Sequence, residues 1–411
     1  MSRELTNDFL LVSRYAEAPA EATVSQTLVA AGLGAPTYQS VDTVATGAPH
    51  TRLGAYRLSA PNINASLRIF VTRHATPALG AMGAGAFGQI TRRLDPEDAQ
   101  TLRSGVLDFD IRLKTPEERI ADAMRWTMSV LRAFVSLTAG AVVDPAAQTG
   151  WGAGQLSAMV TGPLATQIAV HDEAWGADSR WLHTHGLQKF GRPELDLADV
   201  PVALRAEAEA FLRDVAERLA EGERLMAGQE IDLEELGTVV AVTVAPDPEH
   251  QAPYARLRLA DNPAPGARLT VGASQLLARM ALAEAQRHYA AGDGTGALEI
   301  IERILAADSD DCAALFLKAS ILLERRQPHD ALALGELMEL RAASDYRGPL
   351  TLGLALLAIG RSREALNALD RAIEREPEAA QAFAARAEAY RRLGDERLAA
   401  VDRARAAYLG V

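Results

Sequence analysis

Four alanines, Ala297, Ala331, Ala365 and Ala399, stand 34 residues apart down the last third of the chain. A second small-residue series keeps step with them: Ala285, Ala319, Gly353 and Ala387 each lie twelve residues earlier. A fixed period in this range marks a repeat array, here with the length of one helix–turn–helix unit. The reason is steric. Where two helices cross closely, a large side chain on either holds them apart, so small residues mark the crossing. Turn signals separate the members of each pair: Gly292-Asp293, Gln327-Pro328, Gly360 and Gly394-Asp395. Large apolar residues such as Leu298, Ile301, Ile304 and Leu305 flank the small ones at helical spacing. Pro377 follows the second helix of the third unit, where a helix should stop.

This pattern resembles the tetratricopeptide repeat, over about 278–411, in units 278–311, 312–345, 346–379 and 380–411. It departs from the family pattern at the closing proline (Ser309, Ala343), at one turn glycine (Arg326) and at the opening tryptophan (Ala281, Leu315, Pro349, Phe383). The resemblance implies a right-handed superhelix whose first helices line a concave, partner-binding groove. It places Leu282, Gln286 and Tyr289 there from the first unit, and Phe316, Ser320 and Leu323 from the second. Leu350, Leu354 and Leu357 follow from the third, then Ala384, Glu388 and Arg391 from the fourth. Chaperone-binding members hold a peptide carboxylate with Lys, Asn and Arg. This chain has Leu282, Gln286, Leu317 and Thr351 at four of those positions and only Arg347 suited to the task, so no carboxylate clamp is expected. An apolar stripe of this length either binds an amphipathic segment or is covered by the chain's own N-terminal part. Arg403, where earlier units carry Ile301 or Leu369, suggests a last helix with the polar outer face a terminal repeat needs.

The charge balance narrows the partner. The net charge is −12, and residues 275–411 carry 18 basic and 21 acidic side chains against 24 and 33 in the remainder. Neither part is basic, which argues against phosphate-backbone binding, so a protein or peptide partner is expected and nucleic acid is not. The single cysteine, Cys312, excludes an intrachain disulfide and fits a reducing compartment. No run approaches the length of a membrane span, and a cytoplasmic protein is expected. Of 42 cationic residues only Lys114, Lys189 and Lys318 are lysines, a bias that suits a bacterium of high GC content. Oligomeric state is not legible.

Before residue 265 the pattern changes to short β-branched runs alternating with helical stretches, an α+β region. Strands are expected at 8–14, 52–59, 66–73 and 106–113, and helices at 20–31 and from Asp95 onward. That order, βαββαβ, suggests a ferredoxin-like first module over 1–114. A second α+β module is expected over 115–262, packed with the first. It opens with a helix capped by Thr115 and ending at Thr138, followed by strands at 141–143, 165–171, 180–187 and 194–199. A helix at 201–222 and strands at 238–245 and 255–260 complete it. Residues 263–274 read as a linker into an all-α array over 275–411.

Candidate chemistry is sparse. Trp181-Leu-His-Thr-His-Gly, followed by Gly-Arg-Pro-Glu-Leu, resembles a motif of bacterial domains of unknown function, and the resemblance implies no activity. On a strand His183 and His185 point the same way, so both imidazoles can meet one ion, with Glu194 as the expected third ligand and His171, Asp172 or Glu173 as alternatives. Gly83–Gly88 fits G-x-G-x-x-G, but no strand runs into it, and it reads as a loop, as does Gly150–Gly154. Asp108 and Asp110 share one strand face and read as its solvated side. No nucleophile sits in a catalytic setting, and no cofactor is expected. The leading expectation is an interaction or adaptor protein that binds a peptide segment or its own N-terminal domain. The alternatives are a metal-dependent or small-ligand enzyme in the α+β region with the repeats as docking module, or an immunity or effector component of a bacterial conflict system.

Overall fold

The computed structural model describes residues 3–40, 50–224, 230–233, 238–246, 255–259 and 273–410. The chain divides into two compact units, one of Met1–Ala198, Ala208–Ile231 and Val240–Thr270, the other of Asp199–Glu207, Asp232–Val239 and Val271–Val411. An α+β region precedes a run of helices, as the residue pattern predicts.

The α+β region begins β1 (Glu4–Ser13), α1 (Glu21–Ala30), β2 (Thr37–Ser40), β3 (His50–Ala60), β4 (Ala65–His74), α2 (Ala84–Thr91), α3 (Pro96–Ser104) and β5 (Leu107–Pro116). It continues with α4 (Ile120–Thr138), β6 (Ala141–Asp144), β7 (Thr149–Trp151) and α5 (Ala153–Thr161). Seven strands form one antiparallel sheet in the order β2-β3-β4-β5-β1-β6-β7. Alternation builds it: in β4, Ala65, Leu67, Ile69 and Val71 turn inward while Ser66 and Arg68 face out. The amphipathic α4 buries Met124, Met128, Leu131 and Phe134, and the Phe134 ring meets Phe109 and Tyr56 edge-on at 5.6 and 5.8 Å. On the opposite face, α2 and α3 supply Phe87 and Leu102 to a second cluster with Val12, Ala141 and Val143.

Several local expectations are corrected. A ferredoxin-like module sets its first strand between its third and fourth. Here β5 lies between β1 and β4, because β3, β4 and β5 run as a meander and β1 closes on the far side. The sheet also continues across position 114 through β6 and β7. Thr115 is not a helix cap. It pairs with Leu5 in the β1–β5 ladder, and α4 starts only after a 3-10 turn at Glu117–Arg119. The glycine-rich 83–88 stretch is largely helix α2, held by buried Phe87, and Trp151 is a strand residue whose ring lies 6.1 Å from Phe9.

A second, six-stranded sheet has the order β11-β12-β13-β10-β9-β8. Its strands are β8 (Ala169–Ala174), β9 (Ser179–His185), β10 (Glu194–Pro201), β11 (Glu230–Leu233), β12 (Thr238–Pro246) and β13 (Ala255–Leu259), with α6 (Arg205–Ala220) between β10 and β11. The strand expected at 165–171 begins late, since Leu164–Gln167 forms a 3-10 turn after Pro163. The expected linker 263–274 lies outside the described residues except for its last two positions, which belong to a helix.

The array consists of α7 (Ala273–Ala290), α8 (Gly294–Ala307), α9 (Cys312–Glu324), α10 (Pro328–Arg341), α11 (Arg347–Ala358), α12 (Ser362–Arg375), α13 (Ala380–Leu393) and α14 (Glu396–Tyr408). Asp293, Asp311 and Asp395 cap helices by accepting from backbone N–H groups in the first turn. All seven crossing alanines are buried. At the eighth position, a Cβ added to Gly353 would stand 2.5 Å from Leu369 Cγ, inside contact distance. Gly353→Val is therefore expected to cost about 1–3 kcal/mol by overpacking, read as a lowered denaturation midpoint. Unchanged stability would show that α11 and α12 do not cross there. The turn after each first helix takes positive φ at Gly292 (82°), Arg326 (59°), Gly360 (84°) and Gly394 (86°), so the one non-glycine accepts the same left-handed geometry under strain.

Candidate functional site

In the α+β region β8 and β9 form an antiparallel hairpin in which His171 sits directly opposite His183. His185, two residues along β9, turns to the same face. The three rings gather, with centroids 4.5 Å apart for His171–His185, 5.0 Å for His183–His185 and 5.6 Å for His171–His183. One nitrogen from each lies within 4.8 Å of the others. His183 and His185 are 1% and 5% exposed, whereas His171 is half-buried. Trp181 packs on His183 at 4.1 Å, and its indole N–H donates to Asp196, which fixes the ring. Gln89 in α2 lies 2.9 Å from His171 Nδ1.

Glu194 is not part of this group. Its carboxylate accepts from Thr184 Oγ1 at 2.8 Å and from the N–H groups of Gly186 (2.8 Å) and Gln188 (3.2 Å). Thr184 alternates with the two histidines along β9, so a carboxylate bonded to it is turned away from them. Burial holds the Glu194 carboxyl above its ordinary range, against the pull of those donors. Its task is to fix the turn after β9. Asp172 bonds Arg180 at 2.6 Å, so it too is committed elsewhere.

The rest of the motif is a buried polar frame beneath that turn. Lys189, 1% exposed, donates to Asp144 and to Gln167 O (2.5 Å), with its ammonium 5.2 Å from the Trp151 ring. Asp144 also accepts from Ala146 and Ala147 N–H, and Asn7 donates to Lys189 O at 3.0 Å. Gly186 has φ 114°, and a Cβ there would press on Lys189, Ala147 and Gln167 within 3.3 Å. Arg192 bonds Glu117 at 2.7 Å. Sequence reasoning found the motif but not Lys189, Asp144 or Gln89, whose partners are 22 to 82 residues away.

A second titratable pair lies on the first sheet. Asp108 is 2% exposed and meets His74 Nε2 at 3.0 Å. It is not the solvated face expected of it, because α2 and α3 cover that end of the sheet beside Val12, its register partner. Burial, then the neighbouring Asp110, pushes its carboxyl up to about 7, while burial lowers His74. Both directions favour a neutral pair. Asp110 itself remains exposed.

In the array the expected groove residues divide. Leu350 (1% exposed) and Leu357 (5%) belong to a core cluster with Leu352, Leu356, Ala365 and Leu369, and Phe316 and Leu354 pack against it. The apolar stripe is thus largely interior in the third unit: α9 and α13 each pack on α11, and Arg392 donates to Leu357 O at 2.6 Å. Gln286 is exposed, and Leu282, Tyr289, Ser320, Leu323 and Arg347 are partly so. Tyr289 donates to Glu324, and Arg347 bonds Asp345 at 3.1 Å. The final helix is less polar outside than expected. Arg403 is exposed, but so are Val401 and Tyr408, and inside it Asp402 is buried in a bidentate pair with Arg386 (2.7 and 2.9 Å).

No family model and no curated protein matches the chain. Among solved structures it is similar to a thermophilic TPR protein of Thermus thermophilus, 25% identical, over 32% of this chain and 74% of that one, with a TM-score of 0.31. It is also similar to MamA from Desulfovibrio magneticus RS-1 (21% identical, 32% and 75% covered, TM-score 0.28). YrrB, a TPR protein with an unusual peptide-binding site, is 19% identical over 32% and 69%, with a TM-score of 0.27. Among the described residues no helix is long and apolar enough to cross a membrane.

Proposed function

We propose that the chain is an interaction scaffold that binds a segment of a protein partner on the first helices of its repeat array. The observation that carries this reading is the pair of rows those helices present. Residues 286, 320, 354 and 388 form one row at the 34-residue period, and 289, 323 and 391 form the other, which is interrupted in the third unit by the buried Leu357. Stacked repeats turn such rows into an extended surface, which suits a ribbon-like partner better than a small molecule. The burial of Leu350 and Leu357 shifts the proposed contact surface toward the first two units, to Leu282, Gln286, Tyr289, Ser320 and Leu323.

The test is cross-linked capture by the full chain in the cells that produce it. The Gln286→Arg/Ser320→Arg double variant should recover its main partner at least about 10-fold less than wild type, a loss of roughly 1.4 kcal/mol. Leu340→Arg, at an exposed position on a second helix, should leave recovery unchanged, and all three proteins should melt alike. Equal recovery by the double variant would end the proposal. The reading of the α+β region as a metal-dependent or small-ligand enzyme rests on a separate observation, the histidine cluster.

A further inference from the structure

We infer that His171, His183 and His185 form a mononuclear site for a zinc-class divalent transition metal, independent of the scaffold reading. Three features of the cluster point to an ion. First, three imidazoles from one hairpin converge on a single point, with their donor nitrogens within 4.8 Å of one another. Zinc–nitrogen bonds of about 2.0–2.1 Å in a tetrahedral site set ligand nitrogens roughly 3.3 Å apart. Closing that gap requires the rings to turn about their own side-chain bonds as the ion binds. Second, the supports around the rings are those a metal site needs. Trp181 stacks on His183 and is itself anchored to Asp196, and the turn that follows His185 is bolted by Glu194 and Lys189. Third, Gln89 contacts His171 at Nδ1, leaving Nε2 as the donor. Gln89 places its amide nitrogen on that side, and a half-turn of the amide brings its oxygen there to accept the Nδ1 proton and fix the tautomer that ligates.

The donor set selects the ion. All three ligands are imidazole, which suits zinc, copper, nickel and iron, whereas magnesium and calcium require oxygen. No carboxylate or thiol joins the group among the described residues. Three protein ligands leave a fourth position open to water or to a ligand, the arrangement of exchangeable rather than closed structural sites. His171, the half-buried member, lies on the route by which solvent reaches it.

The experiment uses tag-free full-length chain, stripped with a chelator and titrated with zinc(II) alone in competition with a chromophoric chelator. The expected result is one ion per chain, with affinity falling at least about 100-fold in each of His171→Gln, His183→Gln and His185→Gln. Gln89→Leu should weaken binding about 10-fold, the effect of removing an outer-shell partner. Cobalt(II) should give the visible bands of a four-coordinate site in wild type and lose them in His171→Gln. His171 is partly exposed, so its variant decides the matter even where the buried His183 variant fails to fold. Zinc affinity in His171→Gln equal to wild type, or wild-type binding no tighter than that of a variant carrying all three His→Gln substitutions, overturns the inference.

Discussion

Asp144→Ala is expected to destabilise the α+β unit by about 3–5 kcal/mol, the cost of stranding a buried charge without its partner. Lys189 is almost wholly enclosed, and the carboxylate of Asp144 is the anion beside its ammonium. The same carboxylate accepts from Ala146 and Ala147 N–H, so the turn between β6 and β7 loses its bonds as well. A second variant separates charge from packing. Lys189→Met in the Asp144→Ala background removes the stranded ammonium and should recover a large part of the loss, because two apolar groups in place of a buried pair are often tolerated. Urea unfolding of the four proteins gives the cycle. If the double variant is as unstable as the sum of the singles, the pair is not coupled and this account of the motif lysine fails.

Stability should also fall as pH rises from about 4 to about 7, because of Asp108. Its folded carboxyl titrates at about 7, above its unfolded value. The folded state therefore keeps a proton that the unfolded chain has already released, and the contribution is complete below about 4 and gone above about 7. A shift of this size corresponds to roughly 4 kcal/mol over the whole titration, of which about 3 kcal/mol falls between pH 4.5 and pH 8. His74, lowered by burial, works in the opposite sense, favouring the folded state above its unfolded range, but its shift is the smaller of the two. Asp108→Asn removes the carboxyl while leaving His74 a polar neighbour. The stability of the variant relative to wild type should rise between pH 4.5 and pH 8 by roughly that amount. Parallel stability–pH curves for the two proteins would show that Asp108 does not carry the linkage.

The array was legible because its constraint is local and periodic. Each crossing residue must be small whatever lies beyond it, so the 34-residue period survives even where the closing proline and one turn glycine are lost. Arg326 shows the limit: the backbone enforces the turn geometry that its side chain does not favour. The histidine pair was legible for a similar reason, since strand alternation alone puts His183 and His185 on one face. The third histidine was legible only as one alternative among several. Placing His171 opposite His183 requires the register of a hairpin closing through Trp175–Asp178, and a strand assumed to end at 171 hides it. Glu194 was misplaced because nine residues from His185 say nothing about which face of β10 meets which face of β9.

Sequence alone determined the architecture of the last third and the crossing positions, because these depend on side-chain size and on spacing along one helix. Only the tertiary structure decided the strand order of the first sheet, the burial of Asp108, the pairing of Lys189 with Asp144, and which groove leucines remain accessible. Each of those depends on what packs from a distant part of the chain. Leu350 and Asp108 make the point from opposite directions. A leucine expected on a binding face and an aspartate expected in water are both interior, since neighbouring helices cover them.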